Sequence, residues 1–320
     1  MTERSFTADE IATQPDCWRR AARDARAAVD GGFGPAALPR PGERVAVTGC
    51  GTSWFMAQAY AALREAAEQG ETDAFPASAF PRARRYDRVV ALTRSGTTTE
   101  ILDLLARLRD AHPATPLLAL TADPASPVLR EAQHVAVLDY AEERSVVQTR
   151  FATSALAFLR AALETGGPLP EGVATVERAA ADAATALAVP LPAGLTAAEQ
   201  WTFLGAGWAY GLACEAALKL REAAGAWTES HPLLEYRHGP VSIAAPGRAV
   251  WLLGGPAGGG GDGGAGIAAE AAAAGAHTET GVLDPMAELV RAQRLAVAVA
   301  RARGLDPDRP RNLTRSVVLP

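Results

Sequence analysis

Apolar runs short enough for strands alternate along the chain with stretches whose apolar positions recur at helical spacing, the pattern of a parallel α/β sheet. A helix is predicted at about 9–30, then a Pro- and Gly-rich break at 31–42 and a strand at 44–48. Gly49-Cys-Gly51-Thr-Ser53 turns that strand into a helix at about 53–69. A short strand near 74–80 precedes a buried central strand at 87–93, and Ser95-Gly-Thr-Thr-Thr99 opens a helix at 100–110. Strands at 116–121 and 134–138, with a short helix between them, and helices at about 148–164 and 171–188 complete the series.

The pattern then restarts. A strand at 200–205 leads into a helix at 207–222, another strand at 249–254 into a Gly-rich stretch at 254–264 that reads as a flexible loop. A helix at about 265–274, a strand at about 276–283 and a helix at 285–303 follow, before a polar, proline-punctuated tail. Both halves begin strand–Gly-x-Gly–helix, at Thr48-Gly-Cys-Gly51 and Leu204-Gly-Ala-Gly207. This layout predicts a duplicated unit with halves at 1–165 and 166–320.

Composition narrows the partners. The 320 residues are 48% hydrophobic and 21% charged, enough for sizeable cores, with a net charge of −5. Nucleic-acid and anionic-membrane partners normally need a basic face, so neither is expected. No run approaches about 18 uninterrupted apolar residues, and the first ten residues lack an apolar signal core, so the expected location is the cytoplasm. Cys17, Cys50 and Cys214 form neither a C-x-x-C pair nor an even disulfide set and read as small buried fillers in a reducing compartment. No cluster of His, Cys, Asp and Glu has metal-ligand spacing, and neither a metal nor another cofactor is expected.

Two strand-to-helix junctions in the first half carry glycines and hydroxyls: Gly51-Thr52-Ser53 and Thr93-Arg94-Ser95-Gly-Thr-Thr98. A helix start leaves about four N–H groups without internal partners and carries roughly half a positive charge. Glycine lets a phosphate approach the backbone, and the hydroxyls add uncharged donors. Either segment alone reads equally well as turn glycines and helix caps. Together, at neighbouring strand ends, they read as a phosphate cradle. A dinucleotide fingerprint is the rival, but Trp54 and Tyr210 stand where its third glycine belongs.

In the second half, Glu215, Lys219 and Glu222 share one helical face. Shuttling a proton between adjacent sugar carbons needs one base that serves both, which a carboxylate beside a cation can be. Opening a sugar ring needs a second acid–base group, for which His238 is the candidate. The spacing also fits an exposed helical ion pair worth a few tenths of a kcal/mol. His238 before Gly-Pro also fits a turn, His231 a cap, and His112, His134 and His277 surface positions.

Five segments then occur in order: Cys50-Gly-Thr-Ser53, Arg94-Ser-Gly-Thr-Thr98, Glu215…Leu218-Lys-Leu-Arg-Glu222, Arg237-His-Gly-Pro240 and Pro310-Arg-Asn-Leu-Thr-Arg-Ser316. Over about 50–316 the chain resembles the double-SIS (sugar isomerase) domain family, in particular the isomerase half of glucosamine-6-phosphate synthase and stand-alone aminosugar-phosphate deaminases. Glu143-Arg-Ser-Val-Val-Gln-Thr-Arg150 resembles the family's helix leading out of the first domain. The resemblance implies two flavodoxin-like domains, the first (1–165) holding phosphate and the second (166–320) the acid–base residues, with the C-terminal tail closing over the site.

By position, Gly51, Thr52, Ser53, Thr93, Ser95 and Thr98 match phosphate-holding segments, with Arg94 where the family usually has Gln. Glu222 matches the glutamate that moves the proton between C1 and C2, Lys219 its neighbouring lysine, and His238 the ring-opening histidine contributed by the partner of a homodimer with shared sites. Arg315 replaces a lysine and keeps the charge, but a guanidinium forms no Schiff base; the expectation is that Arg315, with Lys219, stabilises the developing enolate oxygen. The chain starts Met1-Thr2-Glu3, without the synthase's glutaminase domain, so it is not expected to draw ammonia from glutamine. The implied activity is conversion of an aminosugar 6-phosphate, such as glucosamine 6-phosphate, to fructose 6-phosphate and ammonia. A plain aldose–ketose isomerase, a fructosamine-phosphate deglycase and a non-catalytic sugar-phosphate sensor are the alternatives.

Overall fold

The computed structural model describes residues 5–32, 37–254 and 261–319. In chain order the regular elements are α1 (Phe6–Ala12), α2 (Gln14–Ala27), β1 (Val45–Gly49), α3 (Thr52–Ala66), β2 (Thr72–Pro76), β3 (Arg88–Leu92), α4 (Thr99–Ala111), β4 (Leu117–Thr121) and β5 (His134–Val137). They continue with α5 (Arg150–Gly166), α6 (Val176–Ala188), α7 (Ala193–Thr196), β6 (Gln200–Gly205), α8 (Ala209–Ala224), β7 (Trp227–Pro232), β8 (Arg248–Leu253), α9 (Gly261–Ala273), β9 (His277–Thr280) and α10 (Pro285–Ala302).

The strands form two sheets, ordered β2-β1-β3-β4-β5 and β7-β6-β8-β9, and every pairing in both is parallel. Both orders are flavodoxin-like, with the direction of winding reversing beside the first strand, at β1/β3 and at β6/β8. The predicted α/β class with two tandem parallel sheets flanked by helices is the observed one.

Two compact units surround these sheets. One comprises Asp16–Glu143, Arg150–Pro170 and Thr314–Pro320 and holds the first sheet. The other comprises Met1–Pro15, Arg144–Thr149 and Glu171–Leu313 and holds the second. In the first-sheet unit β1, β3 and β4 are buried along their whole length, which is why they read as continuous apolar runs. Ile101, Leu104, Leu105 and Leu108 of α4 pack with Val89 and Leu117 on one face, and burying each such side chain contributes about 1.5–3 kcal/mol. In the second-sheet unit Leu204, Val250 and Leu252 pack with Ile267 and Ala271 of α9.

The repeated strand–Gly-x-Gly–helix turn is the same device twice. Gly51 and Gly207 have φ of 55° and 51°, the left-handed region that glycine enters without strain. A Cβ on Gly49 would lie 2.6 Å from the backbone of Ser53, and one on Gly205 2.4 Å from the carbonyl of Ala209. Only a hydrogen at these positions lets α3 and α8 start so close to their strands. Buried Arg64 then fixes the far end of α3, donating to the carbonyl oxygens of Arg40, Glu43 and Gly70 and to the hydroxyl of Thr72.

Several expectations change. The single helix predicted at 9–30 is two, α1 ending in its cap residue Thr13 and α2 carrying Pro15 in its first turn. The segment 143–149 is not helical; helix α5 begins only at Arg150. The polar sequence Trp-Thr-Glu-Ser-His-Pro, not predicted as a strand, is β7 at the edge of the second sheet. Of the stretch predicted as a loop at 254–264, residues 255–260 lie outside the described residues, and Gly261 onward is helix α9. The break predicted at 31–42 includes residues 33–36, also outside the described ones. Cys17 and Cys214 are buried as expected, whereas Cys50 is only half-buried.

Candidate functional site

The hydroxyl-rich junctions lie at the carboxyl ends of β1 and β3, which are hydrogen-bonded neighbours. Gly51 forms the N-cap of α3, with Thr52 and Ser53 buried in its first turn. Thr98 is the N-cap of α4 and makes no side-chain cap bond, so its hydroxyl does not serve the helix start. At the strand end, the Thr93 hydroxyl is buried without a hydrogen-bond partner among the described residues, as is that of Thr48 in β1. A buried hydroxyl left unpaired costs about 1–3 kcal/mol, which a bound oxygen would offset. The Ser95 hydroxyl accepts from the Thr97 amide at 3.2 Å and the Thr97 hydroxyl at 2.9 Å. A Cβ on Gly96 (φ 59°) would lie 2.3 Å from the Ser126 hydroxyl, so this turn accepts only glycine.

Arg94 takes a different course from the hydroxyls around it in sequence. Its buried guanidinium lies 3.5 Å from the Glu143 carboxylate and donates to the Arg315 carbonyl at 2.8 Å. Arg315 in turn donates to Glu142 Oε1 at 2.6 Å and to the Glu143 carbonyl at 2.9 Å. The two positions where this chain departs from the resembled family thus meet around one pair of acids. Beyond Arg315, the Ser316 hydroxyl lies 3.1 Å from that of Thr97, the Thr99 amide donates to the Val317 carbonyl at 3.3 Å, and the Leu319 amide donates to the Thr99 hydroxyl at 2.9 Å. The tail therefore lies along the start of α4.

Glu215, Lys219 and Glu222 stand on α8 in the second-sheet unit. Lys219 and Glu215 are each 1% exposed and 3.2 Å apart, so this is no solvated surface pair. Lys219 Nζ also donates to Glu222 Oε2 at 2.5 Å, and Glu222 is 19% exposed. Burial alone would lower the Lys219 pKa, but the two carboxylates outweigh it and hold it above the ordinary lysine value. One glutamate is thus fully enclosed and the other, fixed by a permanent cation, opens onto a cavity of about 600 Å³. The cavity is also lined by Arg303, Arg309, Pro310, Arg311 and Asn312. The Pro-Arg-Asn motif and Glu222 therefore share one pocket, which residue spacing alone did not indicate. Arg303, Arg309 and Arg221 were not among the candidates from sequence.

His238 lies exposed between two short 3-10 turns, and its ring has no hydrogen-bond partner among the described residues. His231 lies in β7, its Nε2 3.2 Å from Glu229. Burial, with Glu100 adding to it, pushes the Cys50 thiol up to about 11, which disfavours the thiolate. Among the described residues no helix is long and apolar enough to cross a membrane.

Residues 40–165 match the SIS domain family. It is 29% identical to a glutamine–fructose-6-phosphate aminotransferase (isomerizing) of Methanothermobacter thermautotrophicus, over 87% of this chain and 52% of that protein. A protein of the same name in Xanthomonas campestris is 27% identical over 99% of this chain and 59% of its own length. The chain spans about half the length of the curated relatives it matches. Among solved structures, a glucosamine-6-phosphate deaminase of Thermotoga maritima superposes with a TM-score of 0.80 at 22% identity, covering 98% of this chain and 100% of that one. A tagatose-6-phosphate ketose/aldose isomerase of Escherichia coli gives 0.82 at 18% identity, covering 98% and 96%.

Proposed function

We propose that the chain is a phosphosugar isomerase of the deaminating kind, converting an aminosugar 6-phosphate such as glucosamine 6-phosphate, with water, to fructose 6-phosphate and ammonia. The observation that carries this reading is Glu222, a partly exposed carboxylate fixed at 2.5 Å by a buried lysine at the edge of a cavity. The names of the isomerising relatives support it. Ser53, Thr93, Ser95 and Thr98 hold the phosphate by hydroxyl and amide donors. His238 moves the proton that opens the ring. Glu222 takes the proton from C2 and returns it to C1, leaving an imine at C2 that water hydrolyses to the ketone, releasing ammonia. Lys219 keeps Glu222 in place and stabilises the carboxylate from which the proton shuttle starts and to which it returns.

An exposed His238, whose ring has no hydrogen-bond partner among the described residues, suits delivery to the site of a second copy, and the active unit is proposed to be a homodimer in the cytoplasm. Mixing Glu222→Gln and His238→Ala chains checks this, because one site in a mixed dimer regains both groups and activity returns. The reaction itself is tested by assaying ammonia and ketose over a panel of hexosamine and amine-linked sugar 6-phosphates. The expected result is equal amounts of the two, with Glu222→Gln still binding sugar phosphate but turning over roughly 10²–10⁴-fold more slowly. Ketose without ammonia would replace deamination by aldose–ketose isomerisation, and binding without turnover of any compound would leave a sensor.

A further inference from the structure

The cavity beside Glu222 is lined by Arg221, Arg303, Arg309 and Arg311 and by two carboxylates, Glu222 and Asp306. Four guanidiniums against two carboxylates leave an excess of two positive charges, in a chain whose net charge is −5. Among the described residues none of the four forms an ion pair. Part of the excess answers the fold. Helices α8 and α10 both end at this cavity, and a helix C-terminus carries roughly half a negative charge. Arg303 donates to the Ala224 carbonyl at 3.0 Å, and Arg221 to the Thr228 carbonyl at 3.2 Å.

Arg309 and Arg311 answer nothing of that kind. The backbone that carries them is fixed by the residues between. Asp308 accepts from the Ser5 hydroxyl (2.8 Å), the Phe6 amide (2.8 Å) and both the amide and hydroxyl of Thr7 (2.7 and 2.6 Å), and Pro310 is buried. Asp308 and Pro310 anchor inward, and the alternating Arg309 and Arg311 stand exposed at the cavity wall. A guanidinium presents paired N–H donors that match the two oxygens of a carboxylate or phosphate.

We propose that this cavity is a second oxyanion site, separate from the hydroxyl cradle, which receives a carboxylate or phosphate group carried by the ligand on which Glu222 acts. It rests on the reading of Glu222 given above. The substrate is then an aminosugar 6-phosphate whose nitrogen also bears an anionic group such as a carboxylate; the same hydrolysis releases that amine in place of ammonia, and glucosamine 6-phosphate is the analogue that lacks the second anion.

Equilibrium dialysis with labelled inorganic phosphate at low ionic strength tests the site on the intact chain. Two phosphates per chain are expected, one lost in Arg309→Gln/Arg311→Gln and the other in Ser53→Ala/Ser95→Ala. Malonate competing only for the arginine-dependent phosphate marks a site that takes carboxylates as well. Phosphate binding unchanged in the arginine variant overturns the inference, whatever the serine variant does. Binding lost in the arginine variant but intact in the serine variant instead retains this site and removes the cradle. The arginine side chains are exposed, so their replacement leaves the fold intact, which circular dichroism verifies. In turnover, the same arginine variant raises KM at least tenfold for a substrate with a carboxylate on its amine and leaves that for glucosamine 6-phosphate unchanged. An equal change for both assigns the anion to something other than the substrate and also overturns the proposal.

Discussion

Replacing Lys219 with methionine removes the cation held between Glu215 and Glu222 while keeping the volume and shape of the stem. Glu215, 1% exposed, then loses a counter-charge 3.2 Å away. Glu222, 19% exposed, keeps some contact with water and suffers less. Breaking a buried pair from one side costs about 3–5 kcal/mol, a large part of the roughly 5–15 kcal/mol that holds a typical domain folded. At about 2–4 °C per kcal/mol for a unit of this size, the melting temperature falls by roughly 6–20 °C. Differential scanning calorimetry measures this directly. Because Glu215 causes most of the loss, Glu215→Gln/Lys219→Met recovers much of it.

The same pair sets an alkaline limit. The folded-state pKa of Lys219 is raised above the ordinary lysine value. A group whose folded pKa is raised stabilises fully below the unfolded value and loses that contribution as pH climbs through the folded one. Wild type therefore loses stability above about pH 10.5 through this lysine, and Lys219→Met lacks that component. A melting temperature of Lys219→Met within a degree or two of wild type, with the alkaline limb unchanged, refutes the assignment of a buried, charge-compensated Lys219.

Asp308→Asn turns a four-donor acceptor into a group with one acceptor oxygen and is expected to lower stability by about 2–4 kcal/mol in chemical denaturation. Burial alone would raise the Asp308 pKa, but hydrogen bonds from Thr7, Phe6 and Ser5 hold it below the usual carboxylate value. Its contribution is complete above about pH 4 and lost as pH falls further, so the acid limb of wild type is steeper than that of the variant. Gly205→Ala places a Cβ 2.4 Å from the Ala209 carbonyl and costs at least about 1–3 kcal/mol, whereas Gly207→Ala meets open space and suffers only from its φ of 51°. Comparing the two by urea unfolding separates close approach from backbone strain. Arg315→Ala cuts the bonds to Glu142 and Glu143; hydrogen exchange at the Thr99 amide, which the tail covers through Val317, is expected to quicken.

The alternation of strands and helices was readable because β1, β3, β4, β6 and β8 are buried on both faces and so appear as uninterrupted apolar runs. Strand β7 was not. It sits at a sheet edge, with only Thr228 buried in Trp-Thr-Glu-Ser-His-Pro, and carries no periodic signal. Helix α9 begins at Gly261 against the local preference of Gly-Asp-Gly-Gly, its position set by Ile267 and Ala271 packing on the sheet. The glycine–hydroxyl turns were legible because their demand on residue type is local. The course of Arg94 was not, since Glu143 and Arg315 meet it only through the fold. Likewise Glu215, Lys219 and Glu222 announced a shared helical face, but burial of the first two against a more open third depends on what packs over α8.

The most direct test of the central claim follows the proton itself. Glucosamine 6-phosphate incubated with the protein in D₂O and watched by NMR is expected to yield fructose 6-phosphate labelled with deuterium at C1, with loss of the C2 signal in step, and Glu222→Gln is expected to abolish both while sugar-phosphate binding persists. Label entering at an undiminished rate in Glu222→Gln contradicts the account.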